Sequence, residues 1–131
     1  MNLYRVDRAS SPSTPVGMNS ICYIGDSFPK AVGAFHAHKP GFNPWDQPDP
    51  AYGIILSVWS DLSQSYIVRN QKWTDNLLFI ESAGDLYGPF HSFQTAKDFA
   101  RQKALAPFQI LSLSERHLLL PATKALRPTQ I

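Results

Sequence analysis

The sequence predicts one α+β domain spanning residues 1–131, with a mainly antiparallel sheet of five to seven strands and two helices on one face. Three observations lead to this prediction. A length of 131 residues suits a single domain. Short apolar runs bounded by turn residues recur along the chain and are typical of strands. Two segments carry apolar residues at helical spacing, each directly after a predicted strand, so we expect a ferredoxin-like or duplicated β-α arrangement.

The first half of the chain is predicted to hold four strands and one helix. Ser27 follows a strand and a break, which makes it a helix cap, and Pro29 suits the first turn that follows. Apolar spacing continues this helix to about His38, and Gly33 is expected to let it pack closely on the sheet. The predicted strands of this half are residues 3–8, 20–24, 52–59 and 65–73.

The second half is predicted to hold a hairpin, a helix and a last strand. Ser92 caps the clearest helix of the chain, which carries Phe93, Ala96 and Phe99 on one side. The tail from Glu115 is either a short helical turn or a packed arm. The predicted strands are residues 77–81, 86–90 and 108–113.

The two helix starts echo each other. Ser27-Phe28-x-x-Ala31 recurs 65 residues later as Ser92-Phe93-x-x-Ala96. In each copy a serine caps the helix, an aromatic residue occupies the first turn, and a small residue allows close approach to the sheet. The echo indicates that the strand-to-helix step occurs twice.

The second of these steps also resembles a known family. Gly88-Pro89-Phe90-x-Ser92-x-x-x-Ala96 is similar to the corresponding step of SPOR-like domains, which are small βαββαβ modules that bind peptidoglycan. The resemblance covers about ten residues, mostly a turn and a cap. It implies a strand, a turn and a helix at this point of the chain, and no binding residues are carried over.

Composition and charge argue against several classes of protein without excluding a nucleic-acid binder. Hydrophobic residues make up 44% and charged residues 17%, which argues against disorder. A net charge of +2 is small for a dedicated nucleic-acid binder. The single cysteine, Cys22, cannot form an internal disulfide. The sequence begins without a signal-peptide pattern and has no run long enough to span a membrane, so we expect a cytoplasmic protein that does not bind membranes.

Motifs for catalysis are missing. The chain has no P-loop, no dinucleotide-binding glycine pattern, no serine elbow and no zinc-protease motif. The close pair His36 and His38 has no further ligands nearby to complete a metal shell. We therefore expect no metal and no cofactor, and the sequence favours a binding protein over an enzyme.

One resemblance points instead to an enzyme. Leu3-Tyr4-Arg5-Val6, followed by Gly41-Phe42-Asn43-Pro44 and then Tyr52, resembles the start of RES-type NAD-cleaving toxins. The arginine that this family places after the glycine is absent here, since Phe42 follows Gly41 directly. The resemblance implies that Arg5 and Tyr52 contact a nicotinamide nucleotide.

A second alternative is nucleic-acid binding through a sheet face. The strand at 65–73 carries Arg69 and Lys72 together with the aromatic residues Tyr66 and Trp73. Basic and aromatic side chains on one sheet face bind and stack bases. These four residues are the candidate contacts for this hypothesis.

The leading hypothesis rests on the loop KPGFNPWDQPDP, residues 39–50. Four of its twelve residues are proline, which stiffens the chain. Phe42 and Trp45 are candidate hydrophobic anchors for a protein partner, and Asp46 and Asp49 are a candidate acidic rim. We therefore predict a non-catalytic protein-binding module, such as a small intracellular inhibitor or adaptor of the kind that mobile elements encode.

Overall fold

The computed structural model describes residues 2–11, 20–114 and 128–129. The α+β class is confirmed, with two helices and mainly antiparallel sheets in the described ranges. The strands are divided between two four-stranded sheets, where a single sheet was expected. The chain groups into two compact units, Met1–Gln47 with Ala51–Thr74 and Pro48–Pro50 with Asp75–Ile131. The predicted turn or arm in the tail lies outside the described residues.

The first unit contains four strands and helix α1. Its sheet order is β2-β1-β3-β4, and each neighbouring pair is antiparallel. The observed bounds agree with the predicted ones to within one or two residues. The elements are β1 (Tyr4–Ala9), β2 (Ile21–Gly25), α1 (Phe28–Ala37), β3 (Gly53–Ser60) and β4 (Ser65–Lys72).

The second unit contains helix α2 and a sheet of order β7-β5-β6-β8. Strand β5 pairs antiparallel with β6 and β7, and the short β8 joins β6 in parallel. The elements are β5 (Asn76–Ser82), β6 (Asp85–Phe90), α2 (Phe93–Gln102), β7 (Gln109–Ser114) and β8 (Pro128–Thr129).

Both units repeat one order of elements. In each unit the first strand is central, the second strand pairs on one side of it, and a helix leads to a third strand on the other side. The units differ in where the additional strand lies, since β4 extends the sheet next to β3 whereas β8 extends it next to β6. Of the two expected arrangements, the duplicated β-α plan describes this order.

The helix caps explain the sequence echo. The Ser27 Oγ accepts a hydrogen bond from the Lys30 N–H at 3.3 Å, and the Ser92 Oγ accepts from the Thr95 N–H at 3.2 Å. Ala31 and Ala96, each four residues after its cap, are fully buried. Both helices therefore begin with a satisfied cap and approach their sheets through a small side chain.

Each helix covers the core of its own unit. In the first unit α1 packs mainly on β1, β2 and β3, so the helix-side face of β4 stays largely exposed. The buried residues of this core are Val6, Ala31, Phe35, Ile54 and Leu56. Those of the second core are Leu78, Ile80, Phe90, Ala96, Phe99 and Ala100.

Among the described residues, no helix is long and apolar enough to cross a membrane.

The prediction that Gly33 lets helix α1 pack closely on the sheet is wrong. Gly33 is exposed, and a Cβ atom built there would have no neighbour within 4 Å. The helix meets the sheet through Ala31 and Phe35 instead.

Gly33→Ala is expected to raise the free energy of unfolding by about 1 kcal/mol, because alanine is the better helix former and restricts the unfolded chain. Urea denaturation of the full chain measures this change. Gly25→Ala is the opposing control, since a Cβ at Gly25 would collide with the Tyr23 ring and hydroxyl. A destabilised Gly33→Ala variant would contradict the observed packing of α1.

Candidate functional site

The predicted binding loop forms a compact turn in the first unit, and we call its residues 39–47 the Trp45 loop. One backbone hydrogen bond closes its base, from the Gly41 N–H to the Tyr52 carbonyl at 2.9 Å. Asn43 N–H donates to the Gln47 carbonyl at 3.0 Å, and Asp46 N–H donates to the Asn43 carbonyl at 2.9 Å. The loop is thus held by hydrogen bonds in addition to the restriction from its prolines.

The side chain of Asn43 organises the turn from inside. It is buried, and its Oδ1 accepts from the N–H groups of both Trp45 and Gln47 at 3.0 Å. Its Nδ2 donates to the Gln47 Oε1, also at 3.0 Å. An asparagine that bonds to its own backbone two residues ahead forms a local turn, here started by the Asn43-Pro44 pair. Both the oxygen and the nitrogen of this buried side-chain amide therefore form hydrogen bonds within the loop.

Arg8 ties the Trp45 loop to the sheet. From strand β1 its guanidinium donates to the Asn43 carbonyl at 2.9 Å and to the Asp46 Oδ1 at 2.7 Å. Asp46 has a φ of 59°, a left-handed conformation that aspartate tolerates better than most residues. The loop is consequently anchored to β1, which is a central strand of the sheet.

His38 lies at the same anchor. The Arg8 guanidinium is 3.5 Å from the His38 Nδ1. Burial lowers the pKa of His38, and the positive charges of Arg8 and Lys72 lower it further, against an opposing effect of Asp46. The lowered pKa favours the neutral ring, whose Nδ1 accepts from Arg8 in the tautomer protonated at Nε2.

The two predicted anchors are exposed. Trp45 has 62% of its surface exposed and Phe42 has 37%. The predicted acidic rim takes a different form, because Asp46 is paired with Arg8 and Asp49 is buried and groups with the second unit. The surface that the Trp45 loop offers is therefore mainly aromatic, and the carboxylate of Asp46 on it is paired with Arg8.

The four residues predicted for nucleic-acid binding do not share one face. Tyr66 packs edge-on against Trp59, and the Trp73 Nε1 donates to the Gln71 Oε1, both on the face away from α1. Lys72 lies over the Phe35 ring of α1. Strict alternation would also divide them, with Tyr66 and Lys72 on one face, and a bulge in β4 changes which residues share a face.

The register of β4 shows how the bulge acts. Leu56 pairs with Asn70 and Ser57 pairs with Val68, so Arg69 is an extra residue in β4. The shift reverses the faces of the residues that follow Arg69. Lys72 therefore joins Arg69 on the helix side, whereas Trp73 joins Tyr66 on the opposite side.

The two residues suggested by the RES-like resemblance have structural partners. Arg5 donates from Nε to both carboxylate oxygens of Asp7, at 2.9 and 2.8 Å, and its guanidinium lies 5.5 Å from the centre of the Tyr66 ring. Asp7 is fully buried and also accepts from the Ser20 Oγ at 3.1 Å. Tyr52 is half-buried at the base of the Trp45 loop.

Sequence reasoning missed the two residues that build the loop. Asn43 had a usable signal, because an asparagine before a proline starts turns. Arg8 had none, since its contacts with the loop join residues 35 and 38 positions apart.

Comparison with known proteins identifies no relative. The chain matches no family model, no curated protein and no solved structure. Within the described ranges, no three His, Cys, Asp or Glu side chains converge in a group that could hold a metal ion.

Asn43→Ala is expected to lower the free energy of unfolding by about 1–3 kcal/mol, because two backbone N–H groups lose a buried acceptor. Amide hydrogen exchange should accelerate at Trp45 and Gln47. Asn70→Ala is the matched control: Asn70 is exposed on β4 and accepts only from the adjacent Gln71 N–H. Unchanged exchange at both loop amides would show that Asn43 does not hold the turn.

Asp7 is expected to make stability depend on pH. Burial raises its pKa above the ordinary value of 3.8, although Arg5 and Ser20 oppose this shift. A carboxyl with a raised folded-state pKa binds its proton more tightly when folded, so its contribution to stability grows as the pH falls and levels off below 3.8. The urea midpoint of the wild type minus that of Asp7→Asn should therefore increase as the pH falls from 7 to 4. A decrease in this difference over that range would contradict the raised pKa.

Proposed function

We propose that this protein is a cytoplasmic, non-catalytic binding module, a small inhibitor or adaptor that inserts Trp45 into an apolar pocket of a protein partner. One observation carries the proposal: an indole with 62% of its surface exposed sits on a loop immobilised by Asn43 and Arg8.

Preorganisation makes this indole a suitable anchor. Ordering a loop during binding costs free energy, and the Trp45 loop is already ordered by its own hydrogen bonds. Tryptophan is enriched at the energetic centres of protein interfaces, where truncation costs about 2 kcal/mol or more. A rigid loop that exposes tryptophan therefore supports binding better than it supports stability of the fold.

The surroundings of Trp45 suggest how the contact is arranged. Phe42, three residues earlier, is also exposed and widens the apolar surface. The neighbouring residue in sequence, Asp46, is paired with Arg8. The proposed partner surface is therefore an apolar pocket for an indole.

The alternatives have less support in this geometry. The residues proposed for nucleic-acid binding are divided between two faces of the sheet, with Arg69 and Lys72 on the helix side and Tyr66 and Trp73 on the other. The guanidinium of Arg5, proposed for NAD cleavage, is engaged by Asp7. No contact among the described residues favours either hypothesis over protein binding.

Trp45→Ala is expected to weaken partner binding by about 30-fold or more, the equivalent of 2 kcal/mol, while the melting temperature stays nearly unchanged. The immobilised full chain is used to capture proteins from an extract of the source cells, and quantitative mass spectrometry compares the wild type with the variant. Captured proteins that depend on Trp45 are then purified, and their affinities are measured.

Leu62→Ala is the matched control, because Leu62 is 98% exposed in the turn between β3 and β4 and should not affect capture. Equal capture by the wild type and Trp45→Ala would refute the proposal. A large fall in the melting temperature of Trp45→Ala would show that the indole stabilises the fold instead.

A further inference from the structure

A second candidate site lies in the first unit, separate from the Trp45 loop. It is a groove of about 320 Å³ beside the first turn of α1, on the helix side of the sheet. The side chains that determine its chemistry are Tyr4, Phe28, Leu56, Val58 and Arg69.

The groove follows from the width of the sheet. Helix α1 packs mainly on β1, β2 and β3, so β4 is less covered by the helix, although Lys72 near its end lies over the Phe35 ring. Ile67 and Arg69 are accordingly exposed. The sheet floor between α1 and β4 therefore remains open to a ligand.

The walls and floor of the groove are mostly apolar and aromatic. The rings of Tyr4 and Phe28 are tilted against each other, with their centres 5.3 Å apart. Phe28 keeps 52% of its surface exposed although it begins a helix, and Leu56 and Val58 provide an aliphatic floor. Flat apolar groups pack favourably on such a surface.

The charge that the described lining residues give the groove is positive and comes from Arg69. Among the described residues, Arg69 is the only charged side chain that lines it, and this exposed residue forms no ion pair with any of them. The polar lining groups include Ser60 and Asn2, whose Nδ2 donates to the Tyr4 hydroxyl at 3.2 Å. The Ser60 Oγ already accepts from the Ser63 N–H at 3.3 Å, so its O–H is the group left for a ligand. These groups complement a carboxylate, which accepts hydrogen bonds from guanidinium and hydroxyl donors.

We propose that this groove binds a small aromatic carboxylic acid, with the ring against Phe28 and Val58 and the carboxylate on Arg69. The volume lies at the lower end of the range for ligand pockets, about 300–1,000 Å³, which suits a compact ligand. This proposal does not depend on the Trp45 loop, so either one can fail alone.

The experiment titrates the full chain with indole-3-acetate and follows binding by calorimetry and by amide NMR shifts. Two matched probes separate the parts of the ligand: indole-3-acetamide lacks the charge, and acetate lacks the ring. Indole-3-acetate should shift the backbone amide signals of Leu56 and Val58. Indole-3-acetamide should bind about tenfold more weakly, because a charged hydrogen bond is lost. Acetate should not bind measurably.

Variants assign the contacts. Arg69→Gln should weaken the acid about tenfold and leave the affinity for the amide unchanged. Phe28→Ala should weaken both probes. Arg101→Gln removes an exposed arginine of the second unit and should change neither, and Trp45→Ala should also leave acid binding intact.

Three results would overturn the proposal: no shift at Leu56 and Val58 at millimolar probe, equal affinity for acid and amide, or an unchanged acid affinity in Arg69→Gln. Melting curves check that each variant is folded. If Arg69→Gln does not fold, Phe28→Ala provides the second test.

Discussion

Each helix approaches its sheet through a buried alanine one turn after its cap, together with a buried phenylalanine further along the helix, and the rest of each unit is arranged around this contact. Ala31 and Ala96 are fully buried one turn after a serine cap. A larger side chain at either position would meet the sheet and displace the helix, because protein interiors have little free volume. The serine cap satisfies the first turn, so the helix can start directly where the strand ends. The two units share this step although the loops around it differ in length.

Helix width then determines what remains uncovered. A helix is about 10–12 Å across with its side chains, whereas strands are spaced about 4.8 Å apart, so one helix cannot cover four strands. In the first unit the uncovered strand is β4, which carries Arg69 and Ile67 on the helix side. The groove beside Phe28 is thus a consequence of adding a fourth strand to a sheet that has one helix. The same geometry explains why a basic side chain lies beside an aromatic wall.

In the Trp45 loop, the stiffness of the backbone and the position of the indole have different causes. Its prolines restrict the backbone, but they do not fix where the indole points. The position comes from Asn43 inside the turn and from Arg8 on β1, which bond to the same short segment. Because these partners are buried or half-buried, the loop keeps its shape without contacts from the indole side chain of Trp45. The indole is therefore free to contact another molecule.

The sequence by itself determined the described helices and strands other than β8 to within one or two residues, the two capped helix starts, and the presence of an aromatic, proline-rich loop. These properties depend on periodicity, caps and turn residues, all of which act over a few neighbouring positions. Only the tertiary structure decided that the strands form two sheets, that Asp49 is buried, and that Arg8 holds the loop. It also decided that Trp73 lies on the same face as Tyr66, and Lys72 on the same face as Arg69, since one extra residue in β4 reverses the alternation. These outcomes depend on strand register and on contacts between residues distant in sequence, which local patterns do not specify.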